Sequence, residues 1–147
     1  LPLGQVEHLS EGSDLTLVSY GSTLNLCIQA LPVLEELGIS VELLDVQTLL
    51  PFDLSHDIVK SLQKTNRLLI VDEDVSAGAT AYILEKILVE QSGYYHLDEA
   101  PQTLSAKDHR PAYGSDGDYF SKPSIDDIVE KVYEMMSKAN PNAFPTL

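Results

Sequence analysis

The sequence predicts an α/β fold: a mostly parallel sheet with helices on both faces. Three observations predict it. Short apolar runs alternate with segments whose apolar residues fall at helical spacing. The runs are continuous instead of alternating apolar and polar, as expected of strands covered on both faces. At 147 residues, with 44% apolar and 22% charged residues, the chain fits one domain that buries roughly 70% of the surface its unfolded form exposes.

The elements follow in order. Leu15 to Tyr20, "LTLVSY", is a buried strand after the polar "EGSD". Gly21 and Ser22 break it. Leu24, Cys27, Ile28, Leu31 and Leu34 then mark a helix, with Ser22 or Thr23 as N-cap and Gly38 as its stop. Pro32 inside this pattern is expected to kink or shift the helix. "ISVELLDV", Ile39 to Val46, is the second strand. Asp53 is a natural N-cap for a helix with Leu54, Ile58, Val59 and Leu62 on one face. "RLLIVDED" is the third strand. A third helix turns Ile83, Leu84, Ile87 and Leu88 inward and ends near Gly93. Pro101 to Ala106, "PQTLSA", is the fourth strand, and the turn-rich Lys107 to Pro123 is a long surface loop. Ser124 precedes Asp127 by three residues, a capping-box pattern that opens the last helix. Ile125, Ile128, Val129, Val132 and Met136 line one face of that helix. We expect residues 1–14 to be a linker from an upstream domain, residues 15–136 the folded domain and residues 137–147 a C-terminal tail.

Charge is the compositional outlier. Nine Lys and Arg against 23 Asp and Glu give a net charge of −14. Such a chain repels nucleic acid and anionic membranes and favours basic partners. No apolar stretch approaches the ~20 residues that span a bilayer. The N-terminus lacks a basic segment followed by an apolar one, so it is not a secretory signal. It also lacks an initiator Met, and we expect a longer parent chain. The single cysteine, Cys27, excludes an internal disulfide and any multi-cysteine metal site, which is compatible with a reducing cytoplasm.

In an open parallel sheet, ligands sit beyond the carboxyl ends of the strands. Asp72, Glu73 and Asp74 lie at such an end, as do Gly21-Ser22 and Gln47-Thr48. Three carboxylates could serve acid–base work or hold a divalent cation. Alternation along an extended chain puts at most two on one side, however, and no phosphate cradle accompanies them. Solvation, or favourable interaction with the following helix N-terminus, is the weightier reading of them. The small residues of "SAGATA" match neither dinucleotide nor P-loop patterns and read as close packing. Ser22 lacks the second glycine of a nucleophile elbow and reads as a cap. Cys27, on the apolar stripe, reads as an inert core thiol. His8, His56, His96 and His109 show no metal-ligand spacing. "GSDGDYF" faintly echoes a metal–diphosphate motif, but Ser115 replaces its first glycine and no strand precedes it. An acidic turn explains it.

Three stretches together carry a family resemblance: "SDLTLVSYGSTLNLCIQALPVLEELGISVELLDVQTLLPFD", "KTNRLLIVDED" and "APQTLSAKDHRPAYGSDGDYFSKPSIDDIVEKVYEMM". Their order resembles the C-terminal domain of the transketolase superfamily, and within it the beta subunit of the decarboxylating component of 2-oxoacid dehydrogenase complexes. The chain departs from that pattern at Gln47, where Arg is common, and at "AGATA", where a glycine-richer turn is common. The extension "SKANPNAFPTL" points to a branch, such as one with alpha and beta portions fused.

The resemblance implies a three-layer α/β/α sandwich with a mostly parallel, mixed five-stranded sheet, one strand more than the residues alone reveal. It implies thiamine diphosphate and Mg in the full-length enzyme, gripped by other domains. Catalytic, cofactor-binding and metal-binding residues are therefore expected to be absent here, with no cofactor bound by this domain alone. The implied partners are the alpha and pyrimidine-binding portions of the same enzyme, a second copy across a two-fold axis, and the basic subunit-binding domain of a lipoyl acyltransferase. The expected role is non-catalytic assembly in a cytoplasmic multienzyme complex. Asp72, Glu73, Asp74, Tyr113, Asp116, Asp118, Tyr119 and Phe120 are the candidate protein-interface residues, since exposed aromatics beside charges suit interfaces. Two alternatives are a stand-alone acidic binding module and the C-terminal domain of another transketolase-like enzyme, such as a deoxyxylulose-phosphate synthase.

Overall fold

The computed structural model describes residues 2–75, 77–106 and 122–146. Five strands form one sheet: β1 (Val6–Ser10), β2 (Leu15–Ser19), β3 (Val41–Val46), β4 (Leu68–Val75) and β5 (Gln102–Ala106). Their spatial order is β1-β3-β2-β4-β5. Leu15 pairs with Val41 and Leu17 with Leu69 in parallel ladders, and β5 joins β4 in parallel. Only β1 runs antiparallel, against β3. The expected fold, a mixed and mostly parallel five-stranded sheet between helices, is what the chain adopts.

Central β2 and β3 are buried at every position, and so are the first five residues of β4. This is why they read as unbroken apolar runs. One face carries Leu15, Leu17, Leu43, Leu69 and Val71, covered by α1 (Gly21–Glu36) and α4 (Ile125–Ala139). The opposite face carries Val18, Leu44, Leu68 and Ile70. It is covered by α2 (Asp57–Thr65) and by α3 (Ala79–Leu84) with the π-type turns Glu85–Glu90 that continue it. No helix among the described residues is long and apolar enough to cross a membrane.

Several local expectations need correction. The strand that periodicity missed is β1, inside the segment expected as linker. It is an edge strand in which only Val6 is buried, so it offers no apolar run to detect. Pro32 lies inside α1, which continues to Glu36, just short of the expected stop at Gly38. Pro32 and Ile28 both lie on the solvent side, where water can serve the carbonyl that the proline leaves unpaired. Ser22 and Thr23 do not cap α1. Tyr20 holds the cap position without a side-chain bond.

Leu54 falls before α2 and is exposed. Asp53 does cap α2, from four residues ahead of it. Its carboxylate accepts the backbone N–H groups of Asp57 and Ile58, each at 2.9 Å. Burial nonetheless raises the Asp53 carboxyl above its ordinary range, against those two bonds. The capping box at Ser124 forms as expected: its hydroxyl accepts Asp127 N–H at 3.1 Å, and Asp127 accepts Ser124 N–H at 2.9 Å. The expected tail folds back on α4, where Phe144 packs edge-on to Tyr133 and the Tyr133 hydroxyl donates to Pro145 O.

Candidate functional site

At the carboxyl end of β4 the pleat sends successive side chains in different directions. Asp72 points inward and is 1% exposed. Its Oδ2 accepts the Tyr20 hydroxyl at 2.9 Å and its Oδ1 accepts Glu73 N–H at 2.7 Å. Burial, then the bond to Asp72, then the charges of Asp72, Asp74 and Glu73 hold the Tyr20 phenol well above its ordinary range. Glu73 turns the other way. Its Oε2 accepts the Ser22 hydroxyl at 2.7 Å and lies 3.5 Å from Lys122 Nζ. Asp74 accepts Val75 N–H at 2.8 Å and Ala79 N–H at 3.4 Å. Gly78 makes the second contact possible, because a Cβ there would stand 2.5 Å from Asp74 Oδ2. The small residues after the crest therefore include one at a close approach, where a Cβ would push the Asp74 carboxylate aside.

The three carboxylates thus tie β4 to three places: the β2–α1 junction, Lys122 shortly before α4, and the start of α3. Ser19 reinforces the same junction by donating to Val71 O at 2.8 Å and sharing a hydrogen bond with Thr23 at 3.0 Å. A cavity of about 600 Å³ opens beside Glu73 between the first residues of α1 and α4, lined by Ser22, Thr23, Leu26, Lys122 and Ser124. The candidate residues Tyr113, Asp116, Asp118, Tyr119 and Phe120 lie outside the described residues. Glu73 and Asp74 are exposed, whereas Asp72 is internal.

Two further polar groups were missed by the sequence reading as groups, Gln47 being the one member it had named. At the carboxyl end of β3, Gln47 Nε2 donates to Glu7 Oε2 at 2.9 Å and to Asp45 Oδ2 at 3.3 Å. Burial raises the Asp45 carboxyl, Gln47 opposes the rise and Glu7 adds to it. At the amino end of the sheet, Thr16 shares hydrogen bonds with Ser61 at 2.7 Å and Thr65 at 2.6 Å. Beside them the buried Glu42 pairs with Lys64. Burial alone would raise the Glu42 carboxyl. The Lys64 ammonium and the Ser61 hydroxyl outweigh it and hold the carboxyl below its ordinary range. The signal for both groups was present: Glu42 and Asp45 are the acidic residues inside "VELLDV", otherwise a buried run. Cys27 is fully buried and its thiol is pushed up to about 12 by burial, in keeping with an inert core thiol.

These residues do not fit a metal–diphosphate group. Among the described residues no cluster of three or more His, Cys, Asp or Glu could hold a metal ion. The Glu73 carboxylate already takes the hydroxyl in the first turn of α1 that an anion would use. What the arrangement can do chemically is fix the relative positions of β2, β4, α1, α3 and α4.

The fold and the crest define a domain of the transketolase type. The chain belongs to the family described as "Transketolase, C-terminal domain", whose model matches residues 4–126. It is similar to the pyruvate dehydrogenase E1 component subunit beta of Mesostigma viride, with 33% identity over 137 residues, 93% of this chain and 41% of the relative. It is also similar to the mitochondrial 2-oxoisovalerate dehydrogenase subunit beta of Chaetomium thermophilum, with 42% identity over 103 residues, 69% of this chain and 22% of the relative. This chain therefore spans well under half the length of either relative. A solved structure titled a split-gene transketolase, inactive beta4 tetramer, superposes with a TM-score of 0.74 at 21% identity, covering 93% of this chain and 43% of that one. That likeness bears on the fold alone.

Proposed function

We propose that this chain is the C-terminal, non-catalytic assembly domain of a beta subunit in a thiamine-diphosphate-dependent 2-oxoacid dehydrogenase. The parent enzyme would decarboxylate a 2-oxoacid oxidatively and pass the acyl group to a lipoyl acyltransferase. One observation carries the reading of a scaffold: the carboxylates of the β4 crest are engaged by hydroxyls and backbone N–H groups of their own domain. Thiamine diphosphate and Mg would be held elsewhere in the parent. The exposed Glu73 and Asp74, with the aromatic and acidic segment around Asp116, Asp118 and Tyr119, would contribute surface to a second copy across a two-fold axis or to the basic subunit-binding domain of the acyltransferase. The net charge of −14 supports the second role, because opposed charges steer encounter. A cytoplasmic location accords with the single buried cysteine.

Two titrations test the proposal. Thiamine diphosphate with Mg added to the 147-residue chain gives no calorimetric binding; micromolar affinity would overturn the division of labour. A basic subunit-binding domain binds, and its affinity falls as salt shortens the Debye length to about 10 Å at 0.1 M. Binding that ignores ionic strength would overturn the electrostatic part.

A further inference from the structure

We propose that Glu7, Gln47 and Asp45 form a proton-responsive clasp that sets how firmly the edge strand β1 is held to the sheet. In the antiparallel register Glu7 stands directly opposite Asp45. Residues so placed have Cβ atoms about 5 Å apart, and like charges there destabilise the pair. One neutral group serves both carboxylates: the Gln47 amide nitrogen, at 2.9 Å and 3.3 Å. It has two hydrogens to give, and the clasp uses both. Among the described residues no cation forms an ion pair with either carboxylate.

The two acids differ in setting. Glu7 is exposed, whereas Asp45 is 8% exposed, so Asp45 is the one whose charged form is poorly solvated. Glu7 is the charged group that acts on it. From β2 the register neighbour is the uncharged Ser19, and the first turn of α1 carries no acidic residue. On β3 itself the other acid, Glu42, is paired with Lys64 at the far end of the strand. With Asp45 ionised, one amide holds two negative charges together. With Asp45 protonated, the opposition is gone and its hydroxyl becomes a donor toward Glu7. Because burial raises the Asp45 carboxyl, its contribution is fully present below the unfolded aspartate range and is lost as pH rises through the raised folded value.

β1 is the element able to respond. It pairs on one side only, buries only Val6, and its register with β3 shifts between His8 and Ser10. It can therefore loosen without exposing the sheet centre.

Hydrogen exchange on the 147-residue chain, corrected for intrinsic rates, tests the clasp between about pH 4 and about pH 7.5, from the ordinary aspartate value upward. Amides of β1 lose protection toward neutral pH relative to β5, the opposite edge. Asp45→Asn and the exposed Glu7→Gln each slow β1 exchange at neutral pH, by roughly two- to fivefold from the range for cross-strand pairs, and flatten its pH dependence. His8→Gln, on the same strand, retains the wild-type profile. Wild-type protection of β1 that does not vary with pH would overturn the clasp. So would a pH dependence that survives both carboxylate substitutions, or one that vanishes in His8→Gln.

Discussion

Replacing Asp72 with Ala asks directly whether the β4 crest is scaffold. Asp72 is 1% exposed and accepts the half-buried Tyr20 hydroxyl at 2.9 Å. A hydrogen bond to a charged group contributes about 1.5–3 kcal/mol. The bond to Glu73 N–H spans adjacent residues and adds little that the unfolded chain could not form. The expected loss is therefore about 2 kcal/mol, or about 4–8 °C in melting temperature for a chain of this size. Urea unfolding measures it, and Tyr20→Phe completes a double-mutant cycle with an expected coupling above about 1 kcal/mol. Absorbance titration of Tyr20 supplies a second readout. Its phenol moves down in Asp72→Ala without returning to its ordinary range, because burial is the larger cause of the rise and remains. Since the folded phenol is raised, its neutral form supports the fold fully below the ordinary tyrosine value of about 10, and that support is lost as pH climbs toward the folded value. If Asp72→Ala stays within about 0.5 kcal/mol of wild type, the range of an ordinary surface change, the reasoning fails.

Three other outcomes follow from the same structure. Lys64→Met leaves Glu42 buried without its cation. It is expected to cost about 2 kcal/mol, below the usual range for breaking a buried pair because half of Lys64 reaches solvent; the same variant in urea at neutral pH checks it. Because Lys64 and Ser61 depress the Glu42 carboxyl, the stability it provides is present above the unfolded glutamate value. That stability is lost as pH falls through the folded value, so the Lys64→Met penalty shrinks in acid unfolding curves. Gly12→Ala places a Cβ 2.3 Å from Val41 C and 2.5 Å from Glu42 N, both backbone atoms. An overpacking cost of about 1–3 kcal/mol or more is expected in a thermal melt.

How much of this was legible in the sequence depended on what kind of signal each element leaves. β2, β3 and β4 are buried on both faces, so their apolar runs announced them and the parallel sheet with them. α4 announced itself through Ser124 and Asp127, whose capping box needs only local geometry. β1 left no run, because "VEHLS" buries one residue and takes its place from pairing with a strand some 35 residues away. The π-type widening after α3 was invisible for a related reason: Ile83 and Ile87 stay buried at a spacing that an ordinary helix also satisfies. At the site, adjacency in "DED" was legible while direction was not. Which carboxylate meets Tyr20, which meets Ser22 and which meets α3 depends on how β2 and β4 align, and no local pattern encodes that.

The placement of polar residues bears on how such a fold should be read. Strand ends in parallel sheets attract attention because ligands collect beyond them. Here the polar groups at those ends are shared between elements. Tyr20 and Ser22 from the β2–α1 junction meet Asp72 and Glu73, and Gln47 meets Glu7 and Asp45. At the amino end, Thr16, Ser61 and Thr65 meet in the same way, with Glu42 and Lys64 beside them. Nonpolar packing leaves helices free to slide on a sheet at modest cost, whereas hydrogen bonds of defined geometry fix one arrangement. The assembly role proposed for this domain would use that fixity at both ends of the sheet.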